Sequence, residues 1–171
     1  SIAPVIRTPE QVIASFYDQI HPAKPSKPQN KHLWATLDGK EIALRRLHQQ
    51  VVSRQGCHIQ HKIALCDGCE ALQIRLAKQF PDFTQILDFI HANEYLWAVA
   101  NALLGETNEQ RIEWMKTRTL QLLSGQTKQL IAEFRSLADQ PKKSIAKRSQ
   151  LFKTANYFER NLSVMDYPTY L

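Results

Sequence analysis

Cysteine, glycine and long apolar runs are all scarce in this chain. Three cysteines among 171 residues are too few for a disulfide framework, and their odd number favours free thiols. No apolar run approaches the roughly 20 residues that cross a bilayer, so we expect no membrane partner. The first residues, SIAPVIRTPEQ, lack the charged and apolar segments of a signal peptide, and we therefore expect a cytoplasmic protein.

Acidic residues are outnumbered by basic ones, which gives a net charge of +6. The excess concentrates near the C-terminal end, where Glu159 is the only acid between residues 141 and 160. Such a cluster is typical of contacts with nucleic-acid phosphates, and a solvated helix face explains it equally well. The residues predicted to contact phosphates are Lys142, Lys143, Lys147, Arg148 and Lys153.

The first forty residues show a capping pattern, a proline-rich stretch and a short apolar run. Thr8 to Gln11 form a capping-box pattern, which predicts a helix to about Ile20. The prolines and lysines of HPAKPSKPQNK predict a linker or an exposed loop. HLWATL, residues 32–37, predicts a short strand closed by an Asp-Gly turn. In the first helix, the residues predicted to be buried are Val12, Ile13 and Phe16.

The middle of the chain predicts a parallel βαβ unit. A helix is predicted from about Lys40 to Arg54, before this unit. Two apolar runs, Lys62–Cys66 and Phe83–Leu87, have the length of buried strands, and a short amphipathic helix separates them. From His91 onwards the periodicity is helical throughout. We therefore predict a helix-rich α/β protein in which residues 1–90 form an α/β domain and residues 91–171 form a helical region.

The sequence CDGC, Cys66 to Cys69, allows three interpretations. A zinc site would need further ligands, and Cys57 with a nearby histidine fits none of the usual spacings. A redox pair is disfavoured because the carboxylate of Asp67 opposes a neighbouring thiolate. Two small buried cysteines around a strand end explain the pattern more simply. Asp67 would then lie at the carboxyl end of a parallel strand, where α/β proteins bind ligands, or it would only form a turn and cap a helix.

Four segments are spread over nearly the whole chain: LDFIHANEYLW within Ile86–Gly105, KHLWATLDGKE, KIALCDGCEALQIRLAKQFPDFTQ and MDYPTYL. Together they resemble bacterial insertion-sequence transposases of the DDE type, and the ISKra group in particular. The segment LDFIHANEYLW is the most specific part of this resemblance.

The resemblance implies that residues 1–90 are part of an RNase H-like catalytic core and that residues 91–171 are a helical insertion. In the intact family, three carboxylates hold two divalent ions, Mg²⁺ or Mn²⁺, which promote cleavage and strand transfer of DNA. Asp67 would be the second of these carboxylates and a metal ligand. Asp88 and His91 would match the D-x-x-H element that follows it.

The chain departs from the family pattern at the other two carboxylates. The first Asp would precede Ser1 and the last Glu would follow Leu171, so the resemblance implies an internal fragment. Asp38 does not replace the first Asp, because it follows HLWATL, which matches a later part of the pattern. We therefore expect the chain by itself to bind no metal ion firmly and to cut no DNA. Its expected partners are DNA and either the rest of a transposase or a second copy.

Two further functions are compatible with the sequence. In the first, the chain is a non-enzymatic module that binds DNA or protein, with its basic C-terminal helix on phosphates. In the second, which is the weaker, it is a zinc module built on Cys57, Cys66, Cys69 and a histidine.

Overall fold

The structure, a computed structural model, describes residues 8–18 and 31–171 of the chain. It contains two compact units, Ser26–Asp88 and Ser1–Pro25 together with Phe89–Leu171. We call the described residues of the first the α/β unit and those of the second the helical unit. The helices of the described residues are α1 (Pro9–Tyr17), α2 (Lys40–Val52), α3 (Glu70–Gln79), α4 (Phe89–Leu104), α5 (Gln110–Leu123), α6 (Thr127–Ala138) and α7 (Ile145–Asn161), and the strands are β1 (Ile63–Cys66) and β2 (Thr84–Leu87).

The α/β unit is built on the predicted βαβ arrangement. Strands β1 and β2 are parallel and form a two-stranded sheet, with Cys66 paired to Leu87. Helix α3 connects them, and α2 begins at Lys40 as predicted. The chain is thus a helix-rich α/β protein with a small parallel sheet.

The core of the α/β unit is small. Its buried side chains come from α2, β1, α3 and the residue that directly follows α3, and each apolar group buried in this way stabilises the unit. The buried members are Leu44, Cys66, Leu76 and Phe80. This core packs α2 and α3 with the sheet and so supports the loop that follows β1.

The prediction of a strand over residues 32–37 is wrong. None of these residues belongs to a strand, and Leu33 and Leu37 are 82% and 105% exposed. A strand needs a neighbour for its backbone hydrogen bonds, and the only described sheet pairs β1 with β2. The chain does bend at residues 37–38, and Gly39 has a φ of 87°, which glycine adopts without steric cost.

Helix α1 begins as predicted but buries less than predicted. The Thr8 side chain accepts a hydrogen bond from the Gln11 N–H, and the Gln11 side chain accepts one from the Thr8 N–H, which confirms the capping box. No residue of α1 is fully buried, and Phe16 is 49% exposed. The prediction that Phe16 is buried is therefore wrong. The predicted helix end at Ile20 and residues 21–30 of the predicted linker lie outside the described residues.

The helical unit has a continuous apolar core. Helix α6 packs on α7, α4 packs on α7 and α5, and α1 packs on α5. The largest side chains with no exposed surface include Leu96, Leu130, Phe134, Leu151 and Phe158. Among the described helices, none has both the length and the apolar character needed to span a membrane.

A buried polar cluster joins α1 to two other helices of this unit. The Tyr17 hydroxyl donates to Asn93 Oδ1 at 3.0 Å and lies 2.9 Å from Thr119 Oγ1. Thr119 also donates to Asn93 Oδ1, at 3.1 Å. Thr119 is fully buried and Asn93 nearly so, and each therefore needs the partner that it has. The cluster fixes the position of α1 on α4 and α5.

Removing the Tyr17 hydroxyl is expected to destabilise the helical unit by about 1 kcal/mol, the usual net value of a buried hydrogen bond. Burial raises the pKa of Tyr17 above its ordinary value of 10.0, although hydrogen bonds to Thr119 and Asn93 lower it. The neutral phenol thus contributes stability that is complete below pH 10 and is lost as the pH rises through the higher folded pKa. Urea unfolding of Tyr17→Phe at neutral and alkaline pH measures both effects.

The matched control for this variant is Tyr170→Phe. Tyr170 is 39% exposed, and its hydroxyl takes part in no side-chain hydrogen bond among the described residues, so its removal is expected to leave the free energy of unfolding unchanged. Equal losses in the two variants would contradict the role of the cluster.

Candidate active site

Two carboxylates lie at the same edge of the sheet. Asp67 directly follows β1 and Asp88 directly follows β2. Because the last residues of these parallel strands, Cys66 and Leu87, are paired, the two aspartates leave the sheet side by side. The Asp88 N–H donates to the Cys66 carbonyl oxygen at 2.8 Å and extends the ladder by one bond. The structure thus brings together two of the three aspartate and histidine residues singled out from the sequence.

Asp67 is exposed, and its carboxylate is oriented by the turn that follows it. Its Oδ1 accepts a hydrogen bond from the Cys69 N–H at 3.0 Å, and its carbonyl accepts one from Gln73 Nε2 at 3.3 Å. These bonds lead the chain from β1 into α3. The turn-forming role foreseen for Asp67 is therefore present, and among the described residues it engages one of the two carboxylate oxygens, Oδ1.

Asp88 is partly buried and ends the α/β unit, whereas His91 lies in the first turn of α4 in the helical unit. The His91 side chain is 44% exposed, and its Nδ1 lies 3.3 Å from Glu94 Oε2. Glu94 is thus a polar partner of His91 within its own helix. The D-x-x-H element spans the boundary between the two units.

All three cysteines are free thiols, and the surroundings of Cys66 disfavour it as a zinc ligand. Cys66 is buried, with its Sγ 3.8 Å from the Ile86 carbonyl oxygen. Burial, and after it the charge of Asp67, raises the pKa of the Cys66 thiol, whereas zinc binds the thiolate. Among the described residues no three His, Cys, Asp or Glu side chains cluster as a metal site would require.

The five basic residues differ in their surroundings. Lys147 Nζ donates to the Leu103 carbonyl oxygen at 3.1 Å, near the negative end of the α4 dipole. Lys153 Nζ lies 6.0 Å from the centre of the Tyr95 ring. Lys142 and Arg148 are exposed, Lys143 is partly exposed, and none of these three takes part in an ion pair of the described residues.

One residue at the carboxylate edge was not singled out from the sequence. Lys40, the first residue of α2, places its Nζ 3.8 Å from Cys69 Sγ, next to the turn that holds Asp67. Lys40 is far from Asp67 along the chain, and no periodicity or motif connects them. Its only signal is its position after the Asp-Gly turn, which also predicts where α2 starts.

The geometry therefore provides two adjacent carboxylates, an oriented turn and a nearby lysine at one edge of a parallel sheet. No protein-family model matches this chain, and no curated protein or solved structure is significantly similar to it.

Proposed function

We propose that the chain is part of the RNase H-like catalytic core of a DDE-type insertion-sequence transposase, in which Asp67 is a metal-binding carboxylate. The observation that supports this proposal is the placement of Asp67 and Asp88 after two adjacent parallel strands. The carboxyl edge of parallel strands is where open α/β sheets bind their ligands. The LDFIHANEYLW segment adds the resemblance on which the family name rests.

The residues of this edge suit a divalent ion because they offer carboxylate oxygens and because the Asp67 carboxylate is accessible to solvent. Carboxylate oxygens are the ligands that Mg²⁺ and Mn²⁺ prefer, and the Asp67 carboxylate is exposed and oriented by the Cys69 N–H. Bound ions would activate the attacking oxygen and stabilise the leaving one in phosphodiester cleavage. Asp67 and Asp88 would hold these ions, and the exposure of Asp67 leaves room for a DNA strand beside it.

Of the three carboxylates in the family pattern, this chain supplies the one assigned to Asp67, and Asp88 beside it belongs to the D-x-x-H element. The remaining carboxylates of the family pattern would come from other parts of a transposase, which is the partner that we propose besides DNA. By itself the chain is expected to bind divalent ions only weakly, with dissociation constants on the order of 1 mM. We also expect no cleavage when the chain is incubated with Mg²⁺ and DNA.

Paramagnetic Mn²⁺ tests the proposed site without requiring activity. Titration of the chain with Mn²⁺ is expected to broaden the backbone amide NMR signals around Asp67 and Asp88 before those of other residues. Because each carboxylate supplies oxygen ligands, Asp67→Asn should weaken this broadening several-fold. The amide spectra of the wild type and the variant also report whether the fold is retained.

The matched control is Asp82→Asn. Asp82 precedes β2 at the opposite edge of the sheet, where it pairs with Lys62, and breaking an exposed ion pair costs little stability. This variant should keep the Mn²⁺ broadening at Asp67. Broadening that is centred elsewhere, or that survives Asp67→Asn unchanged, would contradict the proposed metal site.

A non-enzymatic module that binds DNA through α7 is the second candidate function. The observation in its favour is that Lys142, Lys143 and Arg148 lie near the start of α7 outside any ion pair of the described residues. Such cations are available to contact phosphates. This function is compatible with the first, because a transposase must also hold DNA.

A further inference from the structure

Lys40 is connected to the carboxylate edge by two successive contacts. Its Nζ lies 3.8 Å from the Sγ of Cys69, and the N–H of Cys69 donates to Asp67 Oδ1 at 3.0 Å. Lys40, Cys69 and Asp67 all belong to the α/β unit, so this arrangement is part of one compact body. The Lys40 ammonium group is therefore linked to the Asp67 carboxylate through one intervening residue, Cys69.

The charge of Lys40 is not neutralised by any described carboxylate. Lys40 is exposed and takes part in no ion pair of the described residues. Other cations of the same unit do have acidic partners, since Arg46 pairs with Asp38 and Lys62 pairs with Asp82. The thiol of Cys69 is only a weak hydrogen-bond acceptor, so an ammonium that contacts it remains able to bind an anion.

We propose that Lys40 binds a backbone phosphate of the DNA strand on which Asp67 acts. This inference rests on the proposed function and names a further substrate contact of the same site. Asp67 and Asp88 both carry negative charge, which repels a phosphodiester, and a cation beside them offsets this repulsion. Lysine suits the role because its ammonium is a compact charge on a flexible stem and commonly binds phosphate.

The proposal assigns Lys40 a positioning role. Lys40 holds the strand by its phosphate, and it transfers no proton and forms no bond. An arginine at the same place would retain the charge and therefore most of the binding. An alanine would remove one phosphate contact and leave the sheet, α3 and the two carboxylates as they are.

Fluorescence anisotropy with a labelled DNA duplex across a salt series tests this role. Each phosphate contact adds about 0.9 to the slope of log affinity against log salt concentration. Lys40→Ala is thus expected to lower the magnitude of this slope by about 0.9. When the salt concentration rises from about 50 to 200 mM, the loss of DNA affinity should therefore be about 3.5 times smaller in Lys40→Ala than in the wild type. Lys40→Arg should keep the wild-type slope.

The matched control is Arg45→Ala, which removes an exposed cation from the same helix. Arg45 is also outside the ion pairs of the described residues, but it lies five positions further along α2 and so points about 140° away around the helix. This variant should keep the wild-type slope. In the same samples, DNA should shift the amide NMR signals of Asp67 and Cys69 in the wild type and shift them less in Lys40→Ala.

The outcomes separate this inference from the proposed function. If the wild type and Lys40→Ala have equal salt slopes while the Mn²⁺ broadening at Asp67 is intact, the role of Lys40 is overturned and the proposed metal site is not. A reduced slope in Lys40→Ala without any Mn²⁺ broadening would support the phosphate contact and overturn the metal site. Equal slope losses in Lys40→Ala and Arg45→Ala, with no DNA-dependent shift at Cys69, would overturn a contact at this edge.

Discussion

Truncating Phe134 to alanine is expected to lower the free energy of unfolding of the helical unit by about 3–5 kcal/mol. Phe134 has no exposed surface and lies in α6, the helix that packs on α7. Its ring is 6.3 Å from the ring of Trp114 and 6.4 Å from that of Phe158, measured between centroids. Alanine would lose the transfer free energy of the ring and leave a cavity that these neighbours fill only in part.

Urea unfolding followed by circular dichroism measures this loss. Because small domains are stable by only about 5–15 kcal/mol, the variant is expected to be partly unfolded or close to it at moderate temperature. Phe16→Ala is the matched control, since it removes the same ring from a site that is 49% exposed. Phe16→Ala should lower the free energy of unfolding clearly less than Phe134→Ala, because about half of the Phe16 side chain is already in water in the folded wild type. Similar losses in both variants would contradict the core described for the helical unit.

Replacing the five basic residues of the C-terminal stretch by alanine is expected to remove most of the salt dependence of DNA binding. If Lys142, Lys143, Lys147, Arg148 and Lys153 each contact one phosphate, the slope should fall by about 4.5, since each contact contributes about 0.9. Binding of this kind releases counterions and is insensitive to sequence. Fluorescence anisotropy with duplexes of different sequence across a salt series measures both properties.

The structure divides these five residues into two groups that can be tested separately. Lys147 and Lys153 have partners within the helical unit, in the Leu103 carbonyl oxygen and the Tyr95 ring. The triple variant at Lys142, Lys143 and Arg148 should therefore lower the slope by about 2.7, more than the double variant at the other two.

The control for this experiment is Asp67→Asn, which should leave DNA binding unweakened because it removes a negative charge and no phosphate contact. Sequence-specific binding that survives high salt would contradict a simple basic surface. A triple variant with the wild-type slope would instead indicate that Lys142, Lys143 and Arg148 form only a solvated face.

Local features of the fold were predictable from short stretches of sequence. The capping box at Thr8 was confirmed because its hydrogen bonds join residues only three positions apart. The parallel strands were confirmed because an apolar run of strand length, a short helix and a second such run leave few other arrangements. The edge position of Asp67 and Asp88 follows from the same pattern, since both come directly after these strands.

Contacts between distant residues were not predictable in this way. Residues 32–37 have the composition of a strand, but strand formation depends on a neighbour that no local pattern reveals. The α1 pattern did not indicate that Phe16 stays half exposed while Tyr17 reaches Asn93 and Thr119, because both outcomes depend on which helices pack beside α1.

The sequence by itself determined the helices, the two paired strands and the two aspartates that directly follow these strands, although it did not determine the conformation of residues 32–37. Only the tertiary structure decided that Lys40 lies beside the turn of Asp67 and that Lys147 caps α4. The physical reason is that backbone hydrogen bonds and side-chain periodicity act over a few residues, so a short window of sequence contains them. Side-chain contacts between elements depend instead on how whole helices and strands pack, and that packing is set by all of the buried residues together.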